Sequence, residues 1–163
     1  MPNELSAILC MIQLEKLNLP EFHYRVEQKN NQVSIFCLIR KKFVVLTPEE
    51  WVRQHFINYL IYHKKYPRAM VQVEREILFN NLKKRFDVVV YSPLGVPFML
   101  TECKSANVKL SQNTFMQAST YNLNLKSDYL VITNGLKHFC CKIDHSLQKY
   151  NFEQELPDYP RTQ

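Results

Sequence analysis

Glycine is nearly missing from this chain: its 163 residues include only Gly95 and Gly135. Loops that cradle a nucleotide's phosphates need two or three glycines close together. Walker-type and dinucleotide-type binding are therefore excluded, and with them a nucleotide cofactor. Five cysteines, an odd number without Cys-x-x-Cys spacing, suggest neither a disulfide framework nor a zinc site, and imply a reducing compartment. No run approaches the roughly 18 apolar residues of a membrane span. The N-terminus, with Glu4 and Glu15 and no basic start, does not read as a signal peptide. The expectation is a cytoplasmic protein with no membrane partner. Repeats and low-complexity segments are absent too.

What is there suits one globular domain. Hydrophobic residues make up 46% and aromatics 12% of the chain, enough for a proper core. Lys and Arg outnumber Asp and Glu by 21 to 15, a formal charge of +6, which points mildly toward a polyanionic partner.

Residues 1–46 read as an arm and a β-extension: an apolar segment from Leu5 to Leu14, then strand-like Val33 to Ile39 and Phe43 to Leu46, parted by polar turns. Thr47-Pro48-Glu49-Glu50 is a helix start. Thr47 can accept from the N3 amide, Pro48 suits N1, and Glu50 can reach back to the Thr47 amide in a capping box. Val52, Phe56, Tyr59, Leu60 and His63 follow at helical spacing, up to Pro67. Val71 to Phe79, Lys83 to Tyr91 and Val96 to Lys104 read as three consecutive strands. The last two join through the turn Ser92-Pro93-Leu94-Gly95. Next come a helix from Ser111 to Leu125, a strand from Asp128 to Thr133, a type I′ hairpin at Asn134-Gly135 and its partner strand to Ile143. The order predicts an α/β fold, a mixed sheet flanked by helices over residues 47–145, with a loosely docked tail over 146–163.

The chemistry concentrates in the central hairpin. Side chains two apart on a strand share a face, so Glu102 and Lys104 point together and Cys103 points away. If the hairpin sets Asp87 beside Glu102, two carboxylates and an ammonium converge. Such carboxylates repel unless a cation, a shared proton or solvent relieves them. Hard oxygens suit Mg2+, which needs only one or two protein carboxylates. A solvated cross-strand salt bridge is the competing explanation. Cys103 reads as a small buried residue, His55, His63, His138 and His145 as packed or solvated imidazoles. Arg40-Lys41-Lys42, Lys64-Lys65-Arg68 and Lys83-Lys84-Arg85 are basic runs that can track phosphates.

An acid in the second strand of the core, Glu102-x-Lys104 at the end of the third and a helix carrying Gln117-x-x-x-Tyr121 follow one another in a set order. This order resembles the PD-(D/E)xK nuclease superfamily, and more closely the N-terminal nuclease domain of type I restriction enzyme R proteins in free-standing form. The Gln-x-x-x-Tyr element is similar to that of RecB-like nucleases. The resemblance implies a restriction-endonuclease-like core with a small N-terminal antiparallel β-extension, and a Mg2+-dependent deoxyribonuclease in which Mn2+ substitutes. It makes Asp87 and Glu102 metal ligands, with the Cys103 backbone carbonyl a third and Glu50 a further candidate. Lys104 becomes the catalytic lysine and Gln117 a catalytic neighbour. Tyr121, Arg85 and Lys84 would contact DNA. Phe86 stands where the family has proline, and the motor of R proteins is absent. The alternative is a catalytically silent nuclease-fold module that binds DNA or a protein; intact acids that repel or demand a cation argue against it. A homodimer or a partner subunit, and RNA as substrate, are left open.

Overall fold

The computed structural model describes residues 14–79, 82–122 and 126–161, without the side chains of 77–79, 82, 84 and 120–122. The apolar segment from Leu5, the turn at Asn80-Asn81 and the end of the second helix lie outside the described residues.

The extension is a three-stranded antiparallel sheet of β1 (Val26–Lys29), β2 (Gln32–Cys37) and β3 (Lys42–Val45). Asn30 and Asn31 join its first two strands with φ of +49° and +61°, a two-residue turn with both central residues left-handed. The turn expected at Asn134-Gly135 is different. There Gly135 alone has positive φ, and Asn134 Oδ1 accepts from the Leu136 and Lys137 amides at 3.0 and 2.8 Å. The asparagine side chain organises a four-residue loop in place of the tighter turn.

Helix α1 (Pro48–Asn58) starts where expected, with the Glu50 amide donating to Thr47 Oγ1 at 3.0 Å. It continues as a π-helical turn, Tyr59–His63. Spacing predicts one apolar face, yet every residue from Glu50 to Asn58 is buried. The helix lies between two sheets: one core joins Ile35 and Leu46 of the extension, Val52, Phe56 and Ile57 of the helix, and Val88, Met99 and Val131 of the main sheet.

The main sheet has six strands in sequence order, β4 (Val71–Phe79), β5 (Leu82–Tyr91), β6 (Pro97–Cys103), β7 (Tyr129–Thr133), β8 (His138–Asp144) and β9 (Lys149–Glu153). Only β6 and β7 pair in parallel, because helix α2 (Gln112–Asn122) makes the crossover between them. A second core, with Phe86, Val89, Leu100, Phe115, Ala118 and Ile132, fills the face beneath α2. The fold is the expected α/β one: a mixed sheet with helices on both faces and a β-extension. Among the described residues no helix is long and apolar enough to cross a membrane.

The C-terminal residues depart from the expected loose tail. Lys149–Glu153 adds an edge strand to β8, with Tyr150 and Phe152 against the Phe115 ring. Beyond it, Tyr66 donates to the Pro157 carbonyl at 2.7 Å and Tyr159 to the Tyr91 carbonyl at 3.0 Å. Alternating aromatics here are set among charges and prolines, which hid the strand pattern.

Candidate functional site

The ladder between β4 and β5 pairs Val73 with Val88 and Arg75 with Phe86, and skips the pair between them, Glu74 and Asp87. Glu74 has a φ of +50°, left-handed backbone that costs a non-glycine residue about 1–2 kcal/mol. In a regular strand its side chain would leave the face shared by Val71 and Val73. Instead its Oε2 accepts from Arg40 Nη1 at 2.7 Å, and its Oε1 lies 3.8 Å from Arg53 Nη1 of α1. Strain of this kind is held in place by surrounding contacts and clusters at functional positions.

Asp87 is 9% exposed and lies where β5 and β6 part. The last backbone pair on that side is Val88 with Thr101. One step further, Asp87 Oδ2 accepts the Cys103 amide at 2.7 Å while Oδ1 accepts from Arg53 Nη2 at 2.7 Å. The β5 acid is thereby tied to the strand end that carries Glu102 and Lys104.

Arg53 binds the cluster together. Its Nη1 donates to Glu50 and its Nη2 to Glu49 at 3.2 Å as well as to Asp87. Burial works against its charge, but Asp87 and then Glu50 outweigh it and hold the guanidinium pKa above its ordinary value. Arg40 is the second cation, bonded to Glu50 and Glu74. Four carboxylates, Glu49, Glu50, Glu74 and Asp87, thus share two guanidinium groups. Arg40 is an internal counter-ion, so it is withdrawn from the phosphate-tracking run in which the sequence placed it.

Of the two helix acids, Glu50 is spent inside: it accepts from Arg40, Arg53 and Gln54, the last at 2.7 Å. Its carboxylate therefore does not complete the capping box. Glu49 faces the site. Its pKa is pushed up by burial and by the Asp87 charge, and drawn down by Arg53 and Lys104. Lys104 also donates its amide to the Thr133 carbonyl at 2.8 Å, anchoring the end of β6 on β7. Sequence reasoning missed Glu49 and Arg53. Their spacing, Glu four residues before Arg on a helix, was the available signal.

Cys103 is fully buried in the core beneath α1, and burial, then Asp87, pushes its thiol well above the usual range. Alternation puts Glu102 and Lys104 on the other side of β6; Glu102 is half-buried. Gln117 lies on the exposed side of α2. Tyr121 belongs to the same helix, but its side chain lies outside the described residues, as does that of Lys84. Arg85 is exposed on β5, two residues before Asp87.

Among the described residues no three carboxylate, imidazole or thiol groups form a metal cage. The donors present nevertheless fit a hard cation that keeps most of its waters. Each Asp87 oxygen accepts one hydrogen bond and retains a lone pair, at the end of β6 that carries the Cys103 carbonyl.

Residues 48–157 match the family described as type I restriction enzyme R protein N terminus (HSDR_N). No curated protein matches the chain. Among solved structures it is similar to the fragment structure of a putative HsdR subunit of a type I restriction enzyme from Vibrio vulnificus YJ016. That likeness has 22% identity and a TM-score of 0.34, over 54% of this chain and 16% of that one. This chain therefore spans a small part of that protein's length. The family match runs from the first residue of α1, ahead of Glu49 and Arg53, through the whole main sheet to beyond β9. Over well more than half its length, and over all of the site but Arg40, the chain belongs to the family of type I restriction enzyme R protein N termini.

Proposed function

We propose that this chain is a Mg2+-dependent nuclease that hydrolyses phosphodiester bonds of DNA at the fork between β5 and β6. The observation that carries the reading is the Asp87 Oδ2 bond to the Cys103 amide at 2.7 Å, which holds the β5 acid against the Glu102-Cys103-Lys104 strand end. Asp87, Glu102 and the Cys103 carbonyl are the oxygens that would hold the ion, and Glu49 replaces Glu50 as the helix acid. When bound, the ion supplies positive charge to the phosphate and lowers the pKa of a water. Lys104 orients the attacking water or steadies developing charge on the phosphate oxygens. Arg53 is a positioning residue: its bond to Oδ1 fixes the direction in which the Asp87 carboxylate points.

Supercoiled plasmid and linear single-stranded DNA, each incubated with Mg2+, Mn2+ or EDTA, test this. Wild type should cut only with metal, while Asp87→Ala and Lys104→Ala should each lose about a thousand-fold or more in rate. Cleavage that persists in either variant at the wild-type rate would sink the assignment.

A second reading has its own observation. The retained acids Asp87 and Glu102 were expected to demand a cation, but Asp87 is already paired with Arg53, which favours a silent, nucleic-acid-binding module as the second reading. Metal-independent DNA binding with no cleavage under any condition would favour that reading. The multisubunit setting of type I enzymes supplies the partners for either case.

A further inference from the structure

A cavity of about 600 Å3 opens at the C-terminal end of α1, between the β-extension and the π-helical turn, and shares no residue with the Asp87 cluster. Its walls are rings: Phe22 and Tyr24 before β1, Phe36 of β2, and Tyr59 and Tyr62 of the turn. Tyr62 is 54% exposed, a large aromatic surface left in water beside a space that could cover it. The turn that presents it is closed by the Lys64 amide on the Tyr59 carbonyl at 3.0 Å. Such π-turns are rare and recur at functional sites. Tyr59 and His63 stack at 6.0 Å with 28° between their planes.

Arg25 supplies the cavity's guanidinium, with the imidazoles of His23 and His63 and the carboxylate of Glu21 also lining it. The Arg25 guanidinium lies over the Phe36 ring, 3.8 Å from its centre, a cation–π contact. Exposed Lys41 and Lys42 follow β2 in the chain, and exposed Lys65 follows the π-helical turn. Flat rings within and cations around are what an unpaired base and its phosphates require, since every base has a π-face and every linkage a charge. A duplex hides those faces in its own stack.

We propose that this groove binds single-stranded nucleic acid, with an unpaired base stacked on Tyr62 and a neighbouring phosphate on Arg25. The inference rests on the nucleic-acid reading above, and it names the strand state of the ligand. Tyr62 lies on the π-helical turn that continues α1, the helix whose Arg53 holds Asp87.

Fluorescence anisotropy of a labelled oligothymidylate, titrated in EDTA so that nothing is cut, tests the groove. Tyr62→Ala removes an exposed ring and should weaken binding about ten-fold, while Tyr62→Phe should bind like wild type. An abasic oligomer of equal length should bind wild type as weakly as oligothymidylate binds Tyr62→Ala. Blunt duplex should be indifferent to the substitution. Arg25→Ala should flatten the salt dependence. Equal affinity of wild type and Tyr62→Ala for oligothymidylate, abasic binding as tight as oligothymidylate, or Tyr62-dependent binding of a proline-rich peptide in place of the oligonucleotide would each overturn it. The nuclease reading fails separately, through plasmid cleavage that ignores Asp87→Ala and Lys104→Ala.

Discussion

Two helices of eleven residues cover the two faces of the main sheet, and they differ in the charged side chains they bury. Helix α2 buries Phe115 and Ala118 and turns Gln112, Asn113 and Gln117 to water, so the face beneath it is filled by apolar side chains. Helix α1, held between two sheets, buries Glu50, Arg53, Gln54, His55 and Asn58 along with its apolar residues. A buried charge costs several kcal/mol unless its partners are complete. Beneath α1 the carboxylates have theirs: Glu50 meets two guanidinium groups and Gln54, and Asp87 meets Arg53 and an amide, while the Nε atoms of Arg40 and Arg53, Gln54 Oε1 and His55 Nε2 are buried without a hydrogen-bond partner among the described residues. The difference teaches what each layer can hold. The apolar face stabilises the sheet, and the ionic face holds carboxylates at the strand fork that a purely apolar layer could not carry.

The contrast breaks hardest at Arg53. Arg53→Met strands Glu50 and Asp87 in the interior and should cost about 3–5 kcal/mol in urea denaturation. A double-mutant cycle with Asp87→Asn should return a coupling of about 1–3 kcal/mol; additivity would mean the Arg53–Asp87 bond does not hold the fork. On the apolar face, Leu100→Ala should cost about 3 kcal/mol through the cavity it leaves. That loss should be the same at low and high salt.

Acid sharpens the comparison next. Burial lowers the pKa of His55 and of His138 below the ordinary 6.5, against the Pro20 carbonyl contact at His55 and the Asn18 backbone at His138. The unfolded chain therefore takes up protons first, so stability should fall as pH drops through about 6.5 toward the lower folded values. Urea midpoints measured on either side of that pH should show it, and His55→Gln should flatten part of the slope. The smallest effect on stability belongs to Glu49→Gln, within about 0.5 kcal/mol of wild type. Its carboxyl is already raised by burial and by Asp87, so the folded state gains little from ionising it. The same variant should slow metal-dependent cleavage about ten-fold or more; an unchanged rate would return the helix acid's role to Glu50 or to none.

Local pattern carried much of this. Alternation and turn residues located the three central strands, Thr47-Pro48 started α1 at its observed residue, and Ser111, whose Oγ accepts the Thr114 amide at 3.3 Å, preceded α2. The edge strand β9 was not legible, because five residues with exposed charges on a sheet edge look like a tail until β8 supplies their hydrogen bonds. Nor was the assignment of the helix acids. Glu50 stood at the N3 position of a capping box, and only the approach of Arg40 from the β-extension, with Arg53 and Gln54, takes its carboxylate inside and leaves Glu49 partly exposed.

By itself the sequence determined which residues could do chemistry and in what order they come, because strand and helix periods are properties of the chain: Asp87, Glu102 and Lys104 on neighbouring strands, with no glycine-rich loop for a nucleotide. Tertiary structure alone decided how their charges are balanced. The kink at Glu74, the arginine clamp and the burial of α1 on all sides arise from contacts between residues up to 34 positions apart, and such contacts depend on packing in space, which a period along the chain does not encode.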